Sequence, residues 1–310
     1  MQPEEMRDLD WHPDGRAIAI STNCGVLILG NELDSLIDIF QVVAGFITSV
    51  AFNHDGTLLA AAVMGRAGSV ADTRIWDVAT QEVIQVFPDS FSIMPLAWHP
   101  ARNLLVVGHA EEIQVLDVNM GEILHRFSPP PSDVPYFVHY PTLACWSPQG
   151  SYIRAYFERV GYLITVPQWE ATYVAPGVIQ GSGCNDNMTL LASPGTSVGD
   201  FVREIYATDK CDGVSVDWNP QNDREFAVNC DDQTVRIYDQ NADLIIELES
   251  DFSMQSSLAY ARSISYSPDG LRLAALGSNG YVRVWDATTY ELIARVNVAE
   301  LANLELGQLQ

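Results

Sequence analysis

Apolar positions along this 310-residue chain fall in short runs broken by polar turns rich in Pro, Gly, Asn and Asp, with no helical periodicity between them. The pattern predicts short β-strands joined by tight connections. One phrase recurs, in which an apolar strand ends in an aromatic residue, a turn follows, and a second apolar strand begins. The aromatic anchors are Trp11 (WHPDG), Phe52 (FNHDG), Trp98 (WHPAR), Trp146 (WSPQG), Trp218 (WNPQN) and Tyr266 (YSPDG), at spacings of 41, 46, 48, 72 and 48 residues. A second phrase follows 18 to 24 residues later in four repeats: TRIWD ending at Trp76-Asp77, IQVLD at Leu116-Asp117, VRIYD at Tyr238-Asp239 and VRVWD at Trp285-Asp286. Each leads into a polar turn and a fourth apolar strand. Four-stranded units at a period near 40 to 45 residues are what stacked propeller blades require.

The turn phrase and the Trp-Asp ending resemble the WD-repeat β-propeller family, as in its divergent, bacterial-looking members, over nearly the whole chain. The Gly-His pair of that family is missing, with Gly45-Phe46 in its place before the Phe52 strand. Its tight-turn Asp has a counterpart only at Asp232, with Asn279 in the last repeat. The family's His, Ser, Trp and Asp hydrogen-bonded network therefore does not assemble, and apolar packing is expected to hold the blades. The resemblance implies a single all-β domain over 1–310. Its blades are expected near 7–42, 47–87, 93–127, 142–176, 177–212, 213–250 and 261–298, with a tail over 299–310. Trp11 and Tyr266 lie 255 residues apart, which favours seven blades of four antiparallel strands, the cryptic one at 177–212 using MTLLAS and FVREIYATD. Six blades with an insertion is the alternative. No swapped strand is visible to close the ring. Closure is expected from apolar contacts, unless the first eight residues pair in some other way.

With 47% hydrophobic residues the chain can bury a sizeable core, and no apolar run approaches the roughly 20 residues of a membrane helix. Forty acidic against sixteen basic residues, Lys210 being the only lysine, give a net charge of −24, which disfavours nucleic acid and anionic membrane as partners. The start of the sequence carries no secretory pattern. Both a cytoplasmic protein and a secreted one whose signal lies outside this sequence stay open. The five cysteines, Cys24, Cys145, Cys184, Cys211 and Cys230, form no CxxC pair and no complete framework, although one bond such as Cys184 with Cys211 stays open.

No phosphate loop, Rossmann fingerprint, GxSxG elbow or HExxH helix occurs, so no catalytic residue, cofactor or metal is expected. His12 and His99 occupy one place in their repeats and His54 the next, which would suit a transition metal at a channel mouth. Capping of the hairpin turn is the stronger reading. His109 with Glu111 and Glu112 reads as a solvated hairpin tip. Asp231-Asp232 and the stretch 184–188 read as turns rather than calcium loops. The six phased tryptophans are core, and Trp169 breaks the phase.

By the resemblance, the first and third connections of each blade share one face and the other connections share the opposite one. The first face keeps minimal turns. On the second face the connections at 64–72, 88–94, 127–142 and 250–261 are longer. The 127–142 connection carries Tyr136, Phe137, His139 and Tyr140 beside five prolines, a composition that suits an ordered interface rather than a spacer. The expected function is a scaffold binding a protein or peptide partner on this loop-rich face, through Tyr136, Phe137, His139, Tyr140, Arg66 and His109. Two other classes stay open: a propeller hydrolase or lyase with a channel-centred site, and a structural subunit assembling with itself or with other chains.

Overall fold

The computed structural model describes residues 6–23, 25–42, 45–65, 71–88, 96–130, 140–157, 160–176, 183–184, 190–193, 203–206, 213–222, 224–230, 234–248, 263–277 and 280–301. These form 27 strands. Blade 1 is β1 (Leu9–Trp11), β2 (Ala17–Ser21), β3 (Gly25–Gly30) and β4 (Leu36–Gln41). Blade 2 is β5 (Gly45–Phe52), β6 (Leu58–Gly65), β7 (Asp72–Asp77) and β8 (Val83–Pro88). Blade 3 is β9 (Ala97–Trp98), β10 (Leu104–His109), β11 (Glu112–Asp117) and β12 (Glu122–Phe127). Blade 4 is β13 (Pro141–Trp146), β14 (Tyr152–Phe157), β15 (Val160–Thr165) and β16 (Ala171–Pro176). A small sheet follows, with β17 (Gly183–Cys184), β18 (Leu190–Ser193) and β19 (Arg203–Tyr206). Blade 5 is β20 (Gly213–Trp218), β21 (Glu225–Cys230), β22 (Val235–Asp239) and β23 (Leu244–Leu248). Blade 6 is β24 (Ile264–Tyr266), β25 (Arg272–Leu276), β26 (Tyr281–Asp286) and β27 (Leu292–Asn297).

Each of the six blades is a four-stranded antiparallel meander in chain order, so the fold is an all-β propeller with the six-blade count of the alternative reading. The cryptic seventh blade is corrected. Its two visible phrases do form β18 and β19, but these pair in parallel, and among the described residues the sheet has three strands. Hairpins produce antiparallel neighbours, and 177–212 lacks both the anchor turn and the Trp-Asp ending that create hairpins elsewhere. Among the described residues no helix is long and apolar enough to cross a membrane.

The two sequence phrases converge on one row of side chains across each sheet. Phe52 pairs with Leu59, which pairs with Trp76; Tyr266, Leu273 and Trp285 repeat the pattern, as do Trp218, Phe226 and Tyr238. Directly opposed residues share a face, so each row forms one apolar stripe facing the preceding blade. The stripe of blade 2 packs on Ala19, Ile28 and Phe40 of blade 1, and that of blade 6 packs on Ala227, Ile237 and Leu248 of blade 5. Closure uses the same interface. Trp11, Ile18 and Leu29 pack on Ala274, Leu276 and Val284 of blade 6, and every strand stays in its own sheet.

The tight face has two recurrent turns. After the third strand, residues Leu33, Gln81, Gly121, Trp169, Ala242 and Tyr290 all take a left-handed φ between 56° and 71°. The Asp ending the third strand caps this turn, as when Asp77 Oδ1 accepts the Thr80 N–H at 2.8 Å and Asp286 Oδ1 the Thr289 N–H at 2.8 Å. Trp169 breaks the sequence phase because it belongs to this turn, where it stacks on His125 of blade 3 at 4.6 Å.

Candidate functional site

The innermost strand of every blade is an edge, and its N–H groups need acceptors. Side chains of the preceding blade supply them. Asp8 Oδ2 accepts the Val50 N–H at 3.0 Å and the Ser49 hydroxyl at 2.7 Å, while Ser49 Oγ accepts the Leu96 N–H at 3.1 Å and Ser215 Oγ the Ile264 N–H at 3.2 Å. A second tier stands two residues further along. Asp10 Oδ2 accepts the Phe52 N–H and Asp217 Oδ2 the Tyr266 N–H, both at 2.7 Å.

Where the following anchor is a tryptophan, its indole N–H is a donor to the preceding blade. Trp11, Trp98 and Trp146 donate their indole N–H to the carbonyls of Ser265, Ala51 and Ala97, at 3.0, 3.0 and 3.1 Å. An Asp before the anchor therefore accompanies a Phe or Tyr in the next blade, and a small residue accompanies a Trp. Sequence reasoning missed Asp8, Asp10 and Asp217. Their signal was present in the residue preceding each anchor, but it is legible only against the next blade's aromatic. Apolar packing, expected to hold the blades in the main, is thus joined by a polar ladder between them.

A third tier sits at the turns. His12 Nδ1 accepts the Asp14 N–H at 3.3 Å and His99 Nδ1 the Ala101 N–H at 3.0 Å, so both histidines cap their own turns. His12 Nε2 also lies 3.3 Å from the Gly56 carbonyl in blade 2, and Asn219 Nδ2 donates to the Gly270 carbonyl at 3.2 Å in blade 6. Gly56 and Gly150 are required there. Both have positive φ, and a Cβ on either would stand 2.1 Å from Nε2 of His12 or His99.

Above this ladder, on the tight-turn face, opens a cavity of about 400 Å³. Its wall includes Trp11, Phe52, Trp98, His54, His99 and Asp10, with Pro13, Pro100 and Pro268 at the turns. Trp98 is only half-buried because it faces this space. Asp8 and Asp10 keep some accessible surface, yet protein surrounds them and water there screens little. Burial pushes Asp10 up to about 7, opposed by the Phe52 N–H and reinforced by repulsion from Asp8 and Asp217; burial also raises Asp8. Burial, with the nearby Arg102 guanidinium, pulls His99 down to about 4. Among the described residues no group of three or more His, Cys, Asp or Glu side chains is placed to hold a metal ion.

The chain is similar to known proteins in two ways. The family described as WD domain, G-beta repeat matches residues 254–286, the last repeat with its VRVWD ending. A chain in a crystal structure of a mitotic checkpoint complex superposes with a TM-score of 0.67 at 15% identity, covering 93% of this chain and 92% of that one. The chain is a β-propeller, with a match to the WD repeat over residues 254–286. No curated protein matches it in sequence. Matching solved chains number 1572, so this propeller shares its fold too widely for the fold alone to name a partner.

The residues expected on the propeller's loop-rich face fall in two groups. Tyr140 is 45% exposed directly before β13, and His109 ends β10 with Nδ1 3.6 Å from Glu112 Oε1. Glu112 in turn accepts from Gln114 Nε2 at 2.8 Å. Arg66, Tyr136, Phe137 and His139 lie outside the described residues, as do Asp231, Asp232 and the side chains of 184–188. Cys145 and Cys230 are each disulfide-bonded.

Proposed function

We propose that this propeller is an interaction scaffold whose loop-rich face binds a protein or peptide partner. The observation carrying the reading is Tyr140. Its ring is exposed while the next residue, Pro141, is buried and paired with Phe157, so a rigid strand presents a large amphipathic side chain. Aromatics held this way lose little entropy on binding and make strong anchors. Tyr136, Phe137 and His139 precede Tyr140 in the same stretch of sequence, and the family resemblance puts Arg66 and His109 on connections of that face. The channel carboxylates do not favour a hydrolase or lyase, since each already accepts a backbone N–H of the next blade, and burial accounts for the raised Asp8 and Asp10.

Affinity capture from the native source with wild type and with Tyr136→Ala/Tyr140→Ala tests this. The double variant should weaken the captured partner by about 2 kcal/mol or more, roughly thirtyfold, at an unchanged melting temperature. Retained affinity would overturn the placement.

A further inference from the structure

The residue before the anchor faces the following blade, as Asp10 does toward Phe52 and Asp217 toward Tyr266. In blade 4 that place holds Cys145, and the sheet that follows is the small one, with β17 packed against β13 and β20. Cys230 approaches the same sheet from blade 5. It is buried in the stripe of Trp218, Phe226 and Tyr238, which faces the preceding sheet. Both cysteines are disulfide-bonded, so bonded sulfur stands on either side of the place where, among the described residues, the ring departs from four-stranded blades.

Each cysteine has an arginine beside it. Arg154 pairs directly opposite Cys145 and so shares its face. The other blades put Ala19, Ala60, Val106, Ala227 and Ala274 at this position, apolar residues that suit the space between sheets. Arg154 is 8% exposed, and its Nε and Nη1 are buried without a hydrogen-bond partner among the described residues. A guanidinium keeps its charge in a protein, and a buried cation without an anion is costly. Arg236, also buried, donates from Nη1 to Cys230 Sγ at 3.3 Å and from Nε to Glu247 Oε2 at 2.9 Å. A disulfide sulfur is neutral and accepts weakly. A thiolate in its place gives Arg154 the anion it lacks and makes the Arg236 bond charge-assisted. An adjacent arginine also lowers the pKa of a thiol, and a thiol of low pKa leaves a disulfide faster.

We propose that Cys145 and Cys230 form a redox switch at the joint between blades 4 and 5, opened by a dithiol reductant. One thiol of the reductant attacks the sulfur across the bond, the S–S bond breaks, and its electron pair leaves on Cys145 or Cys230 as a thiolate facing arginine. The second thiol then attacks the mixed disulfide, closes the reductant's own disulfide and frees the other cysteine. Two electrons pass to the protein; one reductant proton ends on the freed cysteine and the other goes to solvent. Opening removes the covalent tie at the joint and loosens β17–β19, independently of capture through Tyr140.

The test equilibrates the oxidised whole chain with graded mixtures of reduced and oxidised dithiothreitol in native buffer. Free thiols at Cys145 and Cys230 are read by alkylation and peptide mass spectrometry. Both should be reducible without denaturant. Arg154→Leu should demand roughly tenfold more reductant at Cys145, and Arg236→Leu the same at Cys230. Arg154→Lys keeps the charge and should undo most of that change. Wild type alone supplies a second measurement: freed of reductant at neutral pH, the reduced chain should show the ultraviolet absorbance of thiolate, where an ordinary cysteine is only a few per cent ionised. Hydrogen exchange should quicken in β17–β19 on reduction and hold steady in blades 1 to 3. Reduction that needs denaturant, no thiolate absorbance in wild type, or equal midpoints in wild type and the Leu variants each overturns the switch. Unchanged exchange in β17–β19 overturns the loosening.

Discussion

The carboxylate of Asp10 in blade 1 accepts the backbone N–H of Phe52 in blade 2 at 2.7 Å, and the pair is repeated by Asp217 and Tyr266 between blades 5 and 6. An edge amide facing a channel is thus satisfied by the blade before it. Asp10→Ala leaves that N–H without its acceptor, whereas Asp10→Asn preserves one. In urea unfolding at pH 5 the Asn variant should exceed the Ala variant by about 1 to 3 kcal/mol, the cost of an orphaned buried donor. Equal stabilities would show that the cap contributes nothing.

The pH dependence of stability has a definite sign. Asp10 titrates at about 7 in the folded chain against 3.8 ordinarily, so its contribution is fully present below about pH 4 and is lost as the pH rises through 7. Asp8 acts in the same direction. Thr57 holds Asp55 below its usual value, the Thr80 N–H does so for Asp77 and the Thr289 N–H for Asp286, giving small losses under acid. Melting temperature should therefore decline from about pH 5 to 8, and Asp10→Asn should flatten that decline. A parallel decline in both proteins would assign it to other groups.

Trp285 is 2% exposed and packs between blades 5 and 6. Trp285→Ala should cost roughly 3 to 5 kcal/mol in denaturant unfolding. Trp11→Phe should keep the ring of blade 1 against blade 6 and lose only the indole bond to Ser265, 254 residues away, at about 1 kcal/mol. A loss as large as that of Trp285→Ala would mean that closure hangs on this bond.

Two turn glycines separate backbone strain from crowding. Gly15→Ala meets nothing within 4 Å and should cost only the left-handed penalty of about 1 to 2 kcal/mol. Gly150→Ala drives its Cβ into His99 Nε2 as well and should cost distinctly more, with part recovered in the Gly150→Ala/His99→Ala double variant. Thermal melts of the four proteins decide between them.

Since Cys145 and Cys230 are bonded, at most three of the five cysteines should react with a thiol reagent in denaturant without reductant, and all five after reduction. Five reactive thiols without reductant would contradict the bonded state.

The sequence by itself determined the blade. The anchor, second-strand and third-strand residues of a row, such as Phe52, Leu59 and Trp76, lie within one repeat, and hairpin pairing fixes their common face once the turns are set. It also determined the turn roles of His12 and His99, because a cap reaches only two residues along the chain. Tertiary structure alone decided what joins one blade to the next. Asp10 serves Phe52 42 residues away and Trp11 closes on Ser265, and such bonds depend on how sheets are stacked rather than on any local pattern. The same stacking decided the channel-mouth cavity, whose wall gathers Asp10, Phe52, Trp98 and Pro268 from four blades. It also decided the fate of 177–212, where strand propensity was readable but pairing was not. β18 and β19 pair in parallel, an arrangement that no phrase of the sequence between 177 and 212 announces.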